Sequence, residues 1–485
     1  MSKRDFPKIH FYDQDFVDLY DKTWAWISDC WGAAGDKNTM PGKFFSYPGS
    51  KYISQADAVY SSFFLVYSNR IFHASPTLDI FYERQEPSGA IRGAYSMETG
   101  KAEESENNPE GMAMPLFAWA EYNLYHKSAN KKRVKDMLPI LDKWINWIDT
   151  VFKRGNGLYQ APLAATSLPS LLRRQAVYPV DFNAAMAINA LYMSALADIM
   201  NEREMSFIYK RKYFSLKTRI NSQMWDNESG FYYDLDEDEN QIRVKTLAGY
   251  WPLLAEIPND DKAERAIAKL LDPEVFGSPH PFPCIGINEP GFNENGGGWN
   301  GSVFPQLNFM VIKGLEKYQR WDIARESAIR HIYFLLDSMP AETSKRNRAQ
   351  LWEAYKPMSE GHAEPPASGS AEAHFCLSPH FPRPQYLNYA ALSTINMSIE
   401  NVIGLEISLP KKTVKWTIPN LEVMGIENLS LKKNMITILS QKSGRGWEIH
   451  MESEKLYYFM INILGQKKKT LPIPSGKCSM LIDKL

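Results

Sequence analysis

Lys132-Arg-Val134-Lys-Asp-Met-Leu138-Pro-Ile-Leu141-Asp-Lys-Trp-Ile145-Asn-Trp-Ile148 decides the fold class. Val134, Leu138, Leu141, Ile145 and Ile148 recur at helical spacing, so they stack on one face of an α-helix and leave lysines and aspartates on the other. The same period marks Phe16, Tyr20, Trp24 and Ile27 upstream. Downstream it returns with smaller residues in Ile323, Ala324, Ser327, Ala328, His331 and Phe334. About twelve such segments are expected, at 14–31, 55–70, 76–86, 112–128, 132–152, 181–201, 204–224, 244–257, 261–271, 303–318, 320–338 and 388–400. Their connections alternate between short ones and long glycine- and proline-bearing ones at 87–111, 153–180, 272–302 and 339–387. That alternation predicts an all-α (α/α)6 barrel, a toroid of six inner and six outer helices with the long loops gathered at one end. Loops of this length in a compact domain usually build a functional site. No fixed-period repeat marks a solenoid.

The helical period stops near Gly404. Leu405–Leu409, Thr413–Thr417, Met435–Leu439, Trp447–Met451 and Tyr457–Ile463 are short β-type runs broken by Pro, Gly, Asn and Lys. The expected domains are therefore 1–402, the helical barrel, and 403–485, a small β-sandwich-like accessory domain.

Composition removes several function classes. Among 485 residues, Lys+Arg 55 against Asp+Glu 56 leaves a net charge of −1, which argues against nucleic acid because phosphate binding needs concentrated positive charge. No apolar run is long enough for a membrane span, and the N-terminal Met-Ser-Lys-Arg-Asp-Phe-Pro-Lys has no signal-like apolar core, so a cytoplasmic protein is expected. The four cysteines lack metal-ligand spacing. His362, and His374 near Glu372, match no ligand pattern. The acidic turn Asp234–Asn240 lacks the central glycine and terminal glutamate of an EF-hand. No metal and no cofactor are expected, and nothing in the sequence sets the oligomeric state.

Aromatic residues are 13% of the chain, and several stand beside glycine and proline rather than on helical faces. Two clusters matter: Trp352-Glu353-Ala-Tyr355-Lys-Pro357 and Gly296-Gly-Gly-Trp299-Asn300-Gly301. Aromatic faces stack on the apolar CH face of a pyranose, and a carboxylate among them activates water or holds a hydroxyl. A structural glutamate braced by core aromatics is the competing reading. A small carbohydrate is thus the expected partner.

Further motifs, taken in order, carry a resemblance. They are Tyr52-Ile-Ser-Gln55-Ala-Asp57-Ala-Val-Tyr60, Gln85-Glu-Pro-Ser-Gly89-Ala-Ile91, Val180-Asp181-Phe-Asn183-Ala, Trp225-Asp226 with Gly230-Phe-Tyr-Tyr-Asp234, Trp299-Asn300-Gly301, Trp352-Glu353-x-Tyr355 and Ile399-Glu400-Asn401-Val-Ile-Gly404. Over roughly residues 40–405 the chain resembles the trehalase-like inverting glycoside hydrolases, closest to glycoside hydrolase family 63 and its mannosylglycerate-hydrolase-like branch. The resemblance implies an inverting glycosidase acting on a small α-linked sugar or oligosaccharide, with Glu353 as general base. It also implies a pocket drawn from Tyr52, Gln55, Asp57, Gln160, Trp299, Asn300, Trp352 and Tyr355.

An inverting glycosidase needs two carboxyl groups roughly 6.5–9.5 Å apart, one to protonate the leaving oxygen and one to deprotonate water. The family carries its acid, an Asp, in the loop before the Val-Asp-Leu-Asn-Ala helix. Here that loop, 157–170, has no Asp or Glu, and Ser167 or Leu168 holds the position. Asn300 likewise stands where the family has Arg. Asp181 is the nearest substitute acid in sequence, with an N-cap as its structural reading, and Asp57, Glu98 and Glu110 lie near the same loops. Alternatively, the leaving group needs no protonation, or the substrate supplies its own acid. Two other functions stay open: a carbohydrate-binding protein without catalysis, or a polysaccharide lyase.

Overall fold

The computed structural model describes residues 6–32, 39–40, 42–69, 71–339, 351–371, 377–419, 422–443, 446–463, 467–473 and 475–482. His374 and Glu372 lie outside them. Twelve α-helices are described: α1 (Gln14–Cys30), α2 (Gln55–Leu65), α3 (Pro76–Tyr82), α4 (Phe117–Ser128), α5 (Lys131–Phe152), α6 (Val180–Met200), α7 (Arg203–Arg219), α8 (Trp251–Leu254), α9 (Asp260–Leu271), α10 (Pro305–Lys317), α11 (Trp321–Asp337) and α12 (Leu387–Ala391). The last continues in wider π-type turns over Leu392–Val402. Local chemistry starts several of them: the side chains of Asp13, Ser54, Asn130 and Asn259 cap α1, α2, α5 and α9 by accepting first-turn backbone N–H groups.

The even-numbered helices pack in a closed circuit. Helix α2 lies on α4, α4 on α6, α6 on α8, α8 on α10, and α10 on α12, which returns to α2. Sequence separates this inner set from the rest. Helix α6 is buried along nearly its whole length, as are α2 and α8, whereas α5 and α9 bury one stripe. The odd-numbered α3, α5, α7 and α11 back this circuit from outside, and α1 packs on α11 and α12. Each inner helix follows a long loop, and a hydrogen bond from Asn388 to Asp57 brings the starts of α12 and α2 together.

Two sheets follow. Strand β1 (Lys8–His10), β4 (Met424–Leu431), β5 (Asn434–Ser443), β6 (Gly446–Ser453) and β9 (Gly476–Ile482) form one, in the order β1-β4-β5-β6-β9. The other, ordered β2-β3-β7-β8, uses β2 (Leu405–Ser408), β3 (Thr413–Ile418), β7 (Tyr457–Ile463) and β8 (Lys467–Ile473). The five expected runs are strands, and three more, at 424–431, 467–473 and 476–482, complete the sheets. Strand β1 comes from the other end of the chain: Ile9 pairs with Ile426 on β4. A boundary between 402 and 403 therefore leaves out one strand of the β unit.

Polar groups tie the helices to one another and to the sheets at their seam. Glu400 accepts from Lys127 at 3.0 Å and Lys313 at 2.7 Å, and from the Tyr67 hydroxyl. Lys313 also reaches Glu316 at 2.7 Å. Trp416 of β3 donates its indole N–H to the Ile403 carbonyl at 2.8 Å, and Asn69 bonds both Asn428 and Ser430 of β4.

Candidate active site

Glu353 sits in a loop that Val303 and Arg383 hold in place. Tyr355 pairs with Val303 through two backbone hydrogen bonds of 2.9 Å, and the Glu353 N–H donates to the Arg383 carbonyl at 3.0 Å. The Arg383 guanidinium then grips the Glu353 carboxylate with both arms, Nε to Oε2 at 2.9 Å and Nη2 to Oε1 at 2.5 Å, while the Arg383 N–H adds 3.1 Å to Oε2. Such a planar two-point pair fixes the orientation of a carboxylate as well as its charge. The carboxylate is buried, with Glu353 only 7% exposed.

Behind the arginine lies an aromatic wall. Its guanidinium stacks 3.9 Å from the Tyr386 ring centre and lies 6.0 Å from that of Tyr47. Tyr386 meets Tyr389 edge-on, and Tyr389 meets Tyr60 the same way. Burial pushes the Tyr386 and Tyr389 phenols far up, so both remain neutral hydrogen-bond donors. Tyr386 carries the wall to a second carboxylate. Asp57, buried in the first turn of α2, accepts from Asn388 Nδ2 at 2.5 Å and from the Tyr386 hydroxyl at 3.4 Å. Glu353 and Asp57 are thus linked through one Arg–Tyr pair.

Some of the buried polar atoms without a protein partner stand at the starts of the same inner helices or just ahead of them. Gln55 Oε1 on α2, Gln306 Oε1 on α10, Asn388 Oδ1 on α12, Ser302 Oγ and the Trp299 indole N–H are buried without a protein partner. Buried polar groups are normally paired, so this set has the chemistry to receive hydroxyl groups. The glycine turn aims one member. Gly296, Gly297 and Gly298 all have positive φ, and a Cβ at Gly296 would strike Ala363 and Ser302. The turn leaves Trp299 stacked 4.4 Å from Phe304, just before α10.

Not every expected pocket residue joins this wall. Gln55, Asp57 and Trp299 stand at the helix starts as described. Trp352 is half-buried, its indole 4.0 Å from the His362 ring. Tyr355 is fully buried, and its hydroxyl accepts from the Trp352 N–H at 2.8 Å, which makes it an internal brace rather than an exposed sugar platform. Tyr52 is 41% exposed on a short strand paired with Ala94–Ser96. Asn300 is half-buried, and its carbonyl accepts from the Asn293 N–H at 2.7 Å. Gln160 opens onto a separate cleft of about 390 Å³ with Asn108, Glu110, Phe152 and Arg154, and its Oε1 accepts from Arg154 at 2.8 Å.

Asp181 needs the largest correction. It is fully buried, and Arg173, also fully buried, reaches it at 2.8 Å and Asp234 at 2.7 Å. Ser167 donates its hydroxyl to Asp181 at 2.6 Å and its N–H at 3.0 Å, and the Trp251 indole donates to Ser167 at 2.9 Å. Burial alone would raise the Asp181 carboxyl, but Arg173 and Ser167 outweigh it and hold it below the usual range. An acid catalyst needs the opposite shift, and this carboxylate has no face left for substrate. It is not the N-cap of α6 either. The N-cap is Pro179, which has no side-chain acceptor, and Asp234 Oδ1 accepts from the Val180 N–H at 2.8 Å instead. Glu110 is engaged as well, paired with Arg92 at 3.3 Å.

Arg383, Tyr386, Tyr389, Gln306 and Asn388 were not anticipated from sequence. The one available signal was position: each lies within the first turn of an inner helix or just ahead of it.

Known proteins share this arrangement of packed helices and β unit at the level of fold. The model described as Mannosylglycerate hydrolase MGH1-like glycoside hydrolase domain matches residues 73–375, and that described as Trehalase, C-terminal domain, matches 404–485. The first match covers more than half of the chain, which belongs to the MGH1-like glycoside hydrolase family, GH63-like in kind. An uncharacterized protein of Borreliella burgdorferi is 49% identical over 488 residues, 100% of both chains. The mannosylglycerate hydrolase of Thermus thermophilus is 29% identical over 144 residues, 29% of this chain and 33% of that one. Among solved structures, a GH63 mannosylglycerate hydrolase from another strain of that species, in complex with glucose, superposes with a TM-score of 0.57 at 19% identity, covering 78% of this chain and 99% of that one. A GH78 rhamnosidase of a Bacillus species gives 0.68 at 13%, covering 95% and 42%. The chain also spans 40% of the length of a sialidase it matches, with a TM-score of 0.63 at 14% identity. At these identities the structures speak to fold alone.

Proposed function

We propose that this chain is an anomer-inverting O-glycoside hydrolase for a small α-linked sugar, with its closed helical circuit forming an (α/α)6 toroid. One observation carries the reading. Glu353, at the position where the family keeps its base, is buried and oriented by Arg383 on an aromatic wall that also holds the carboxylate of Asp57. In this reading Glu353 takes a proton from the attacking water. Because Ser167 and Arg173 take up the Asp181 carboxylate, Asp57 is the remaining carboxyl on that wall and the proton donor. The unpartnered atoms of Gln55, Gln306, Asn388 and Trp299 receive the sugar hydroxyls.

Glu353→Gln should lower kcat on aryl α-glycosides by about 10²–10⁴-fold, the scale of general-base catalysis, with an inverted product anomer in the parent enzyme. Unchanged turnover would remove Glu353 from the mechanism. Asp57→Asn should cost far more with alkyl than with nitrophenyl leaving groups, because only the poor leaving group needs protonation.

A second reading is favoured by the sealed Ser167–Asp181–Arg173 group: a carbohydrate-binding protein without turnover. Calorimetric binding with no product from any glycan tested would select it.

A further inference from the structure

We propose that His280 is a positioning residue for the Glu353 loop, acting through a buried relay of two neutral imidazoles. It rests on reading Glu353 as the base, but the relay itself is testable without any activity.

Its geometry fixes where the protons sit. His280 Nδ1 lies 3.2 Å from the Lys356 carbonyl oxygen, three residues beyond Glu353. A carbonyl only accepts, so Nδ1 carries the hydrogen. In a neutral ring Nε2 is then an acceptor, and it faces His331 Nδ1 at 2.7 Å, which must donate. His331 Nε2 in turn accepts from the Ser393 hydroxyl at 2.9 Å. One consistent chain results: Ser393 O–H to His331, His331 Nδ1–H to His280, and His280 Nδ1–H to Lys356. A proton added to either ring would set two N–H groups against each other or leave an N–H facing a hydroxyl that must turn away.

This relay spans three elements. Ser393 is on the continuation of α12, His331 on α11, and His280 in the loop before the glycine turn. His280 also ties the loop through its own backbone, its N–H donating to the Pro357 carbonyl at 3.0 Å. Its ring stacks on Phe334 at 4.7 Å and meets Tyr355 edge-on at 5.7 Å. Both histidines are fully buried. The cation acting on the pair is Arg330, which donates to the Ser278 and Pro279 carbonyls at 2.9 Å, while the Lys356 side chain is engaged by Glu364 at 2.8 Å. No carboxylate among the described residues bonds either ring, so nothing compensates an imidazolium. A neutral relay is what keeps the carbonyl beside the base fixed.

Nitrogen-15 NMR of the full-length wild-type protein should show both rings as Nδ1–H tautomers that do not titrate between pH 8 and 5. Titration of either ring in that range, or an Nε2–H tautomer, would overturn the relay. Amide exchange at residues 351–357 should quicken at least about tenfold in His280→Leu and stay near wild type in His280→Asn, whose amide keeps a donor for Lys356. Equal exchange in His280→Leu and wild type would overturn the positioning role. In the kinetic arm, His280→Leu should lose kcat by up to about 10²-fold, the scale of a slightly misplaced catalytic group, with KM nearly unchanged and His280→Asn restoring it. If instead Glu353→Gln keeps full turnover while loop exchange responds as expected, the anchor stands and the base assignment falls.

Discussion

Glu353 and Asp181 show how differently two carboxylates are used in one chain. Each is held by an arginine, yet Glu353 is gripped on one side and lies on an aromatic wall, while Asp181 shares Arg173 with Asp234 inside the protein. The Arg173 triad is costly to break. Arg173→Met should strand two buried carboxylates and destabilise the fold by about 3–5 kcal/mol, the usual penalty for removing one partner of a buried pair. Thermal unfolding would check it, and an unchanged Tm would mean that water reaches these groups. His280 and His331 set a pH limit by the same logic. Burial pushes His331 down to about 3 and His280 well below its ordinary value. As pH falls below about 6.5 the unfolded chain takes up protons that the folded rings refuse. Stability therefore drops, by at most about 1.4 kcal/mol per pH unit for each histidine, until the folded values are reached. The apparent Tm should be level above pH 7 and decline between pH 6.5 and 4. A flat profile across that window would contradict the buried, neutral pair.

Helices were the most legible level, because the apolar period reports which face is covered. The expected segments 14–31, 132–152, 181–201 and 320–338 match α1, α5, α6 and α11 to within a residue or so at either end. The segment 112–128 begins too early, since Met112 to Leu116 belong to the chain that leads into α4 rather than to a helix. The segment 244–257 holds only a 3-10 turn and the four residues of α8. Its apolar residues are buried by neighbours, and burial alone does not make a helix. Gly404 is the hinge of the seam: its φ of +87° suits glycine, and a Cβ there would press on the Thr417 carbonyl of β3. Gly404→Ala should cost about 1–3 kcal/mol of strain, read as a lowered Tm. Equal stability would show that the seam can shift.

Across the whole molecule, the N-terminal strand closes one edge of a sheet built from the C-terminal β region. Strand β1 covers β4, so deleting residues 1–12 should bare a row of unpaired backbone groups and promote self-association. Light scattering of the truncated and full-length proteins would test this, and a truncated protein that stays as monodisperse as its parent would argue that β4 needs no cover. Sequence alone determined the helical period, the change to β structure near Gly404, the motif order and the absence of a carboxyl group in the loop 157–170. Those features depend on neighbours a few residues apart, or on which residue types are present. Tertiary structure decided that Arg173 consumes Asp181, that Arg383 orients Glu353, that Tyr355 faces inward and that β1 joins the far sheet. Each of these joins residues that the chain's local pattern does not pair, and a partner's identity is set by how helices, strands and loops pack, not by spacing along the chain.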